Sequence, residues 1–283
     1  MQNLSDINQI KSLLSRHGFS FSKALGQNFI IDADVCPNMA DAAVPNNSYG
    51  VIEIGPGIGV LTVELAKRAK KVISVELDTR LLPILDETLS DYDNVKIINS
   101  DVMKLDLHKV IEEEFAGMPV VICANLPYYI TSPIIMMLLE SKLPIESVTV
   151  MVQAEAADRL CAPVGTRDAG AVTVAVNFYA EAEELFFVPR EAFIPSPKVD
   201  SKVMRLKVRE TASFDIKNEK AFLSMVKGAF SMRRKTIMNS IPAGINTSKE
   251  KLESVLSELE ISKTARIEQL TMDELIEIYN RLS

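Results

Sequence analysis

The sequence predicts an α/β fold: a parallel sheet covered by helices on both faces, followed by a small helical domain. Three observations carry this. Short β-branched runs recur at 51–54, 72–75, 95–98, 120–124 and 148–152, with helical stretches at 60–69, 79–89 and 132–140 between them. Strands that are apolar on both faces belong to a parallel sheet buried between helix layers. A glycine-rich run follows the first of these strands, where a doubly wound sheet places its ligand. After Arg209 the β-branched runs give way to helical patterns with short polar joints.

In chain order, a capped helix is expected over 5–16, with Leu13 and Leu14 on its apolar face and Gly18 just past its end. Residues 19–31 read as irregular. The strand and helix alternation then runs to residue 152. Residues 171–178 and 203–208 look like further strands that form a closing hairpin. Helices are expected over 219–230, 235–240, 249–259 and 272–282. The expected division is a catalytic domain over 1–209 and a small helical domain over 210–283, with no internal repeat or low-complexity segment.

Bulk properties narrow the function. A chain of 283 residues suits one large and one small domain. Its 47% hydrophobic and 24% charged content is that of a soluble globular protein. The apolar run 134–139 is far short of a membrane span, and no basic-then-apolar signal pattern opens the chain. A cytoplasmic protein without a membrane partner is expected. Cys36, Cys123 and Cys161 lack metal-ligand spacing and read as reduced thiols. With only His17 and His108, neither a His-based zinc site nor a Ser-His-Asp triad is expected, and no metal.

The net charge of -7 counts against a nucleic-acid partner, but its distribution counts the other way. Residues 198–240 hold eleven basic and four acidic residues, a local charge of +7. A polyanion docking on one face responds to local charge. The competing account is a solvated charged surface.

Gly50, Gly55, Gly57 and Gly59 fall within ten residues of a chain that has eleven glycines. They follow a strand and open a helix, where a backbone without side chains turns tightly and approaches a ligand closely. The spacing is G-x-G-x-G, not the G-x-G-x-x-G of dinucleotide folds. Glu76 ends the second strand, where a carboxylate accepts hydrogen bonds from ribose hydroxyls. Asp101 follows the third and can accept from an adenine amine; a helix N-cap is its alternative role. The ligand so implied is an adenosine without a pyrophosphate, with NAD left open by the glycines and Glu76 alone.

Asn125-Leu126-Pro127-Tyr128 leaves the fourth strand in the same row of strand ends. An adenine N6 amine is a poor nucleophile because its lone pair is delocalised into the ring. The Asn125 side-chain carbonyl and the Leu126 backbone carbonyl could hold its two hydrogens and favour a pyramidal nitrogen aimed at a sulfonium methyl. Positioning and electrostatics then carry the rate effect, with no strong base needed. Pro127 fixes the backbone, and Tyr128 offers a stacking face. A purine must leave its duplex to reach such a pocket. Phe193, held between prolines in 193–199, is a candidate second wall; packing at a domain junction is its alternative.

These residues, in this order, resemble the rRNA adenine N6,N6-dimethyltransferases, most closely the bacterial small-subunit branch. The resemblance spans nearly the whole chain, through residues 23–29, 53–59, 75–78, 125–128, 153–159, 193–201 and 233–236. It implies a Rossmann-like class I methyltransferase sheet with a small C-terminal helical domain. It implies S-adenosyl-L-methionine as cofactor, bound by Asn28, Ile30, Gly55, Glu76, Asp101 and Asn125, with Gly57 in the same loop. It implies base stacking on Tyr128 and Phe193, and two methyl transfers to each of two neighbouring adenines in a hairpin near the 3′ end of small-subunit rRNA. The helical tail, with Arg233, Arg234 and Lys235, would then grip rRNA in an immature small ribosomal subunit, and nothing demands more than a monomer. Ile30 stands where leucine is common, a volume-conserving change. Ala154 and Ala156 flank Glu155 where larger residues are usual. The competing functions are a large-subunit rRNA dimethyltransferase conferring antibiotic resistance, an assembly checkpoint that mainly binds, and an NAD-dependent oxidoreductase.

Overall fold

The computed structural model describes residues 4, 6–22, 26–209 and 214–283. Ser5 of the expected first helix, Lys23, Ala24 and Leu25 of the first matching motif, and Glu210 of the basic stretch lie outside the described residues.

Seven strands form one sheet: β1 Gly50–Ile54, β2 Lys71–Glu76, β3 Val95–Asn99, β4 Val120–Asn125, β5 Ser147–Gln153, β6 Ala180–Val188 and β7 Ser201–Val208. Their order across the sheet is β3-β2-β1-β4-β5-β7-β6. β1 pairs in parallel with β2 and β4, β2 with β3, and β4 with β5. β7 runs antiparallel to β5, with Ser147 opposite Lys207 and Gln153 opposite Ser201. Chain order reverses between β1 and β4, the switch point at which an open α/β sheet leaves a crevice at its strand ends. All five residues of β1 are buried, as expected for a strand covered on both faces.

The chain divides into two units, one of Met1–Ala157 with Glu183–Val208 and one of Asp158–Ala182 with Arg209–Ser283. A single cut at 210 is expected from sequence; the second unit also takes 158–182. In the first unit, the helix Ile7–Arg16 buries Ile10, Leu13 and Leu14 in a cluster with Leu81, Ile84 and Leu85. Asp6 caps it by accepting from Asn8 and Gln9 N–H. In the second unit, Phe222, Met225, Ile237, Leu252, Leu256 and Ile278 share one core. The helix Met272–Leu282 starts with a reciprocal cap in which Thr271 N–H donates to Glu274 Oε2 at 2.7 Å and Glu274 N–H to Thr271 Oγ1 at 3.3 Å.

Residues 171–178 are not a strand. Ala171–Tyr179 is a helix that buries Thr173, Val174, Ala175, Val176 and Phe178. Thr173 Oγ1 accepts from Gly170 N–H at 2.8 Å and donates to Arg159 O at 2.7 Å, which closes its first turn. A helix buried on most of its circumference loses its 3.6 period and takes on the look of a buried strand. The strand paired with β5 is β7, and the last strand of the sheet is β6, whose acidic stretch was not expected to be a strand.

β6 also corrects the basic stretch. Lys202 pairs with Glu184 at 2.7 Å and Arg205 with Glu183. Arg209 pairs with Glu181 at 2.9 Å. Three of the eleven basic residues are thus matched by acids close to them in space and distant in sequence. Gly50 is also reassigned. A Cβ there would lie 2.1 Å from the Phe115 ring, so this glycine admits a core phenylalanine and takes no part in ligand approach.

Candidate active site

The ends of four parallel strands and the segment 26–30 enclose one cavity. Its walls include Asn28, Phe29, Ile30, Gly55, Gly57, Glu76, Asp101, Asn125, Leu126, Tyr128 and Tyr129. The empty space, counted with its open mouth, is about 1140 Å³. All seven expected cofactor residues and three of the four expected catalytic residues line it.

The glycine loop is built by β1 and the helix Val60–Ala66. Gly55 and Gly57 adopt φ of 71° and 61°, in the left-handed region that costs glycine little. A Cβ at Gly55 would meet no protein atom within 4 Å; it would project into space a ligand can use. Beneath the loop, Glu53 is fully buried and takes hydrogen bonds from Thr62 Oγ1 at 2.7 Å and Ser74 Oγ at 2.6 Å. These tie β1 to the following helix and to β2. Burial lifts the Glu53 carboxyl to about 7, against the pull of the two hydroxyls.

Glu76 ends β2 and is 6% exposed. Burial raises its carboxyl to about 7, and the Asp78 N–H, bonded to Oε1 at 2.6 Å, pulls the other way. The N–H groups of Gly57 and Leu77 add to that pull, and hydroxyl donors from a ligand would favour the ionised carboxylate further. Asp78 is the hub of a network that sequence did not reveal. It accepts from Gln27 Nε2 at 2.8 Å and from Arg80 at 2.8 and 2.6 Å. Arg80 also lies 5.1 Å over the Phe19 ring. Phe19 and Gln27 are thereby fastened to the end of β2. Asp101 Oδ1 accepts from Met103 N–H at 3.0 Å and so closes a turn, not a helix start, since the next helix begins at Leu107 with Asp106 as its cap; the residue also lines the cavity.

At the end of β4, Asn125 Nδ2 lies 3.4 Å from the Asn28 carbonyl. A carbonyl only accepts, so the amide nitrogen faces Asn28 and the orientation of Asn125 is set. Its Oδ1 is then turned away from that bond as an acceptor. Asn28 is held in turn, its Nδ2 donating to Gly26 O at 3.2 Å. The Leu126 N–H donates to Met151 O at 3.2 Å, which fixes the peptide that follows. Pro127 O accepts from Ile130 N–H and Thr131 Oγ1, both at 3.2 Å, and closes the turn. Tyr128 Oη bonds Ser201 Oγ at 2.7 Å. Burial raises the Tyr128 phenol above its ordinary range, so it serves as a neutral ring and not as a base. Ser201, at the start of β7, is a positioning residue that no local sequence signal reveals.

Phe193 is not part of this wall. It is 3% exposed, pairs with Ile30 in a two-residue antiparallel ladder, and packs in a core cluster with Val188 and Ala192. Its ring is packed as a core residue and does not line the cavity. The basic triplet is also uneven. Arg233 is half-buried, donates to the Arg167 carbonyl and lies 3.8 Å from Glu268, whereas Arg234 and Lys235 are exposed. Among the described residues no cluster of metal-ligating side chains occurs, and no helix is long and apolar enough to cross a membrane.

A sulfonium cofactor supplies an electrophilic methyl group. The buried Glu76, the open space at Gly55 and the adjacent Asn125 suit one that carries an adenosine. The chain is 49% identical over 96% of its length to the ribosomal RNA small subunit methyltransferase A of a Geobacillus strain, covering 95% of that protein. It is 47% identical over its full length to the protein of the same name from Bacillus cytotoxicus, covering 98% of it. Among solved structures, the 23S rRNA methyltransferase ErmE superposes with a TM-score of 0.69 at 30% identity, over 90% of this chain and 99% of that one. A dimethyladenosine transferase from Plasmodium falciparum gives 0.73 at 25%, over 88% and 95%. The family model described as ribosomal RNA adenine dimethylase matches residues 18–283, and the chain, with its methyltransferase sheet and its cavity at the strand ends, belongs to that family.

Proposed function

We propose that the enzyme dimethylates the N6 amines of two adjacent adenines in a hairpin near the 3′ end of small-subunit rRNA, acting as a cytoplasmic monomer on an immature small subunit. The observation that carries the chemistry is the tether of Asn125 Nδ2 to the Asn28 carbonyl, beside the Tyr128 ring. It leaves Asn125 Oδ1 and the Leu126 carbonyl to accept the hydrogens of a flipped adenine amine. Glu76 takes the ribose hydroxyls of the cofactor and Asp101 its adenine amine, while the 55–59 loop and residues 28–30 frame the rest. The small-subunit assignment is favoured over the large-subunit one by the higher identity to the small-subunit relatives.

Tritiated S-adenosylmethionine offered to unmethylated small subunits, to large-subunit rRNA and to buffer separates the alternatives. Label is expected in the small subunit alone. Nucleosides followed by mass spectrometry should pass through monomethyladenosine and end as dimethyladenosine. After the first transfer one acceptor loses its hydrogen, and the new methyl must fit while turned away from the sulfonium. A stable monomethyl product with active enzyme and excess cofactor would refute dimethylation.

Binding of the ribosomal particle is expected to be salt-sensitive, with Arg234 and Lys235 carrying part of that sensitivity. Each phosphate contact removed should lower the slope of log affinity against log salt by ~0.7–0.9. Arg233→Ala should instead lower the unfolding temperature, because it breaks contacts within its own unit. A wild-type slope in the Arg234→Ala, Lys235→Ala double variant would assign those two residues to solvent.

A further inference from the structure

Besides the buried Phe29, the cavity wall carries one half-buried aromatic, Tyr128, and one exposed aromatic, Tyr129. Tyr129 is 60% exposed, the most exposed large apolar side chain among the described residues. The other exposed aromatics, Phe21 and Phe187, do not line the cavity. Phe21 is in addition packed on Phe29, with ring centroids 5.2 Å apart.

The Tyr129 ring stands open to solvent at the edge of the cavity. Its position is fixed from beneath. A Cβ at Gly26 would lie 3.4 Å from Tyr129 Cδ1 and 3.6 Å from Cε1, so the ring rests against the backbone of the 26–30 segment. Tyr128 and Tyr129 open the same 3₁₀ turn, Tyr128–Ile130. In such a turn successive side chains diverge by about 120°. Tyr128 is held inward by Ser201. Tyr129 therefore turns away from the face that Tyr128 presents and stands at the exposed rim of the cavity.

We propose that Tyr129 is a substrate-stacking residue, its exposed ring taking the unpaired base that neighbours the flipped adenine in the RNA strand. Single-stranded RNA is recognised by stacking of splayed bases on aromatic side chains, and this contact tolerates any base because each has a π-face. The neighbouring base would otherwise lose its own stacking partner when the target leaves the helix. Tyr129 replaces that partner and so lowers the cost of flipping. The proposal rests on the RNA-methylating function argued above.

The test is steady-state kinetics on unmethylated small subunits with Tyr129→Ala, Tyr129→Leu, Tyr129→Phe and Tyr129→Trp, with cofactor affinity and unfolding temperature as controls. Stacking on one base predicts that the Ala and Leu variants raise KM for the particle by roughly ten- to a hundredfold. Their kcat and cofactor affinity should stay close to wild type, and Phe and Trp should restore KM. A leucine variant that behaves as wild type would reduce the role to apolar bulk and overturn the proposal. So would an alanine variant with unchanged KM, or one that loses kcat and cofactor affinity instead. Absence of transfer by the wild-type enzyme to any rRNA particle would overturn the function itself, a result distinct from any of these.

Discussion

Asn125→Ala is expected to lower the single-turnover rate of methyl transfer at least a hundredfold, about 2.7 kcal/mol of barrier, with rRNA binding retained. The substitution removes the side-chain acceptor for the amine hydrogens, and one preorganised polar group at a reacting centre is commonly worth 10²–10³ in rate. It leaves the exposed Arg234 and Lys235 untouched, so the charge facing the polyanion is unchanged. Some cofactor affinity should also be lost, because Asn125 lines the same cavity as Glu76 and Gly55. Asn125→Asp sharpens the result. It keeps an acceptor but replaces the amide nitrogen that bonds Asn28 O at 3.4 Å with a second oxygen that the carbonyl repels. Its rate should fall between wild type and the alanine variant. A loss of less than tenfold for Asn125→Ala would remove Asn125 from the reaction.

The parallel strands were legible because burial on both faces demands contiguous β-branched residues, and the runs ending at Ile54, Glu76 and Asn125 have no other use for them. The cofactor half of the site was legible for a related reason. Gly55, Gly57, Glu76, Asp101 and Asn125 lie at or just after strand ends, which can be read from a single pass along the chain, whereas Asn28 and Ile30 followed only from the resemblance. What sequence hid was pairing between distant segments. The 180–188 strand looks too acidic to be one until Lys202 and Arg205 are seen beside it. Phe193 lies in a proline-rich stretch that looks like an exposed loop, yet its partner in the ladder is Ile30, more than 160 residues away.

Helix 171–179 was misread for the opposite reason, an excess of local signal. Alanine, valine and threonine alternate there in a strand-like way, and only the Gly170–Thr173 cap marks a helix start. Gly50 likewise stood in a glycine cluster whose other members line the cavity or start a helix. Its reason for being glycine is the Phe115 ring, 65 residues on. Tyr129 was in plain view beside Tyr128, but nothing in the sequence says that one ring turns inward to Ser201 and the other outward.

Glu76→Ala is expected to weaken S-adenosylmethionine binding ten- to a hundredfold, on the order of 1.5–3 kcal/mol for hydrogen bonds to a charged acceptor, with the fold intact. The sign of its pH dependence follows from the raised carboxyl. In the free enzyme burial holds Glu76 at about 7, and hydroxyl donors from a ribose stabilise the ionised form, so binding lowers that value. Affinity should therefore be constant above about pH 7 and fall as pH drops below it, with proton release on binding in the lower range. Stability runs the other way. An acid whose folded pKa lies above its unfolded value favours the fold at low pH, and that contribution is lost as pH rises through 7. Glu76→Gln should thus be at least as stable as wild type at pH 8. The cofactor's own amino group also titrates, so the relevant quantity is the difference between wild type and Glu76→Gln. Calorimetric titration from pH 5.5 to 8 measures it. An unchanged dissociation constant in Glu76→Ala, or identical pH profiles for wild type and Glu76→Gln, would take the ribose away from Glu76.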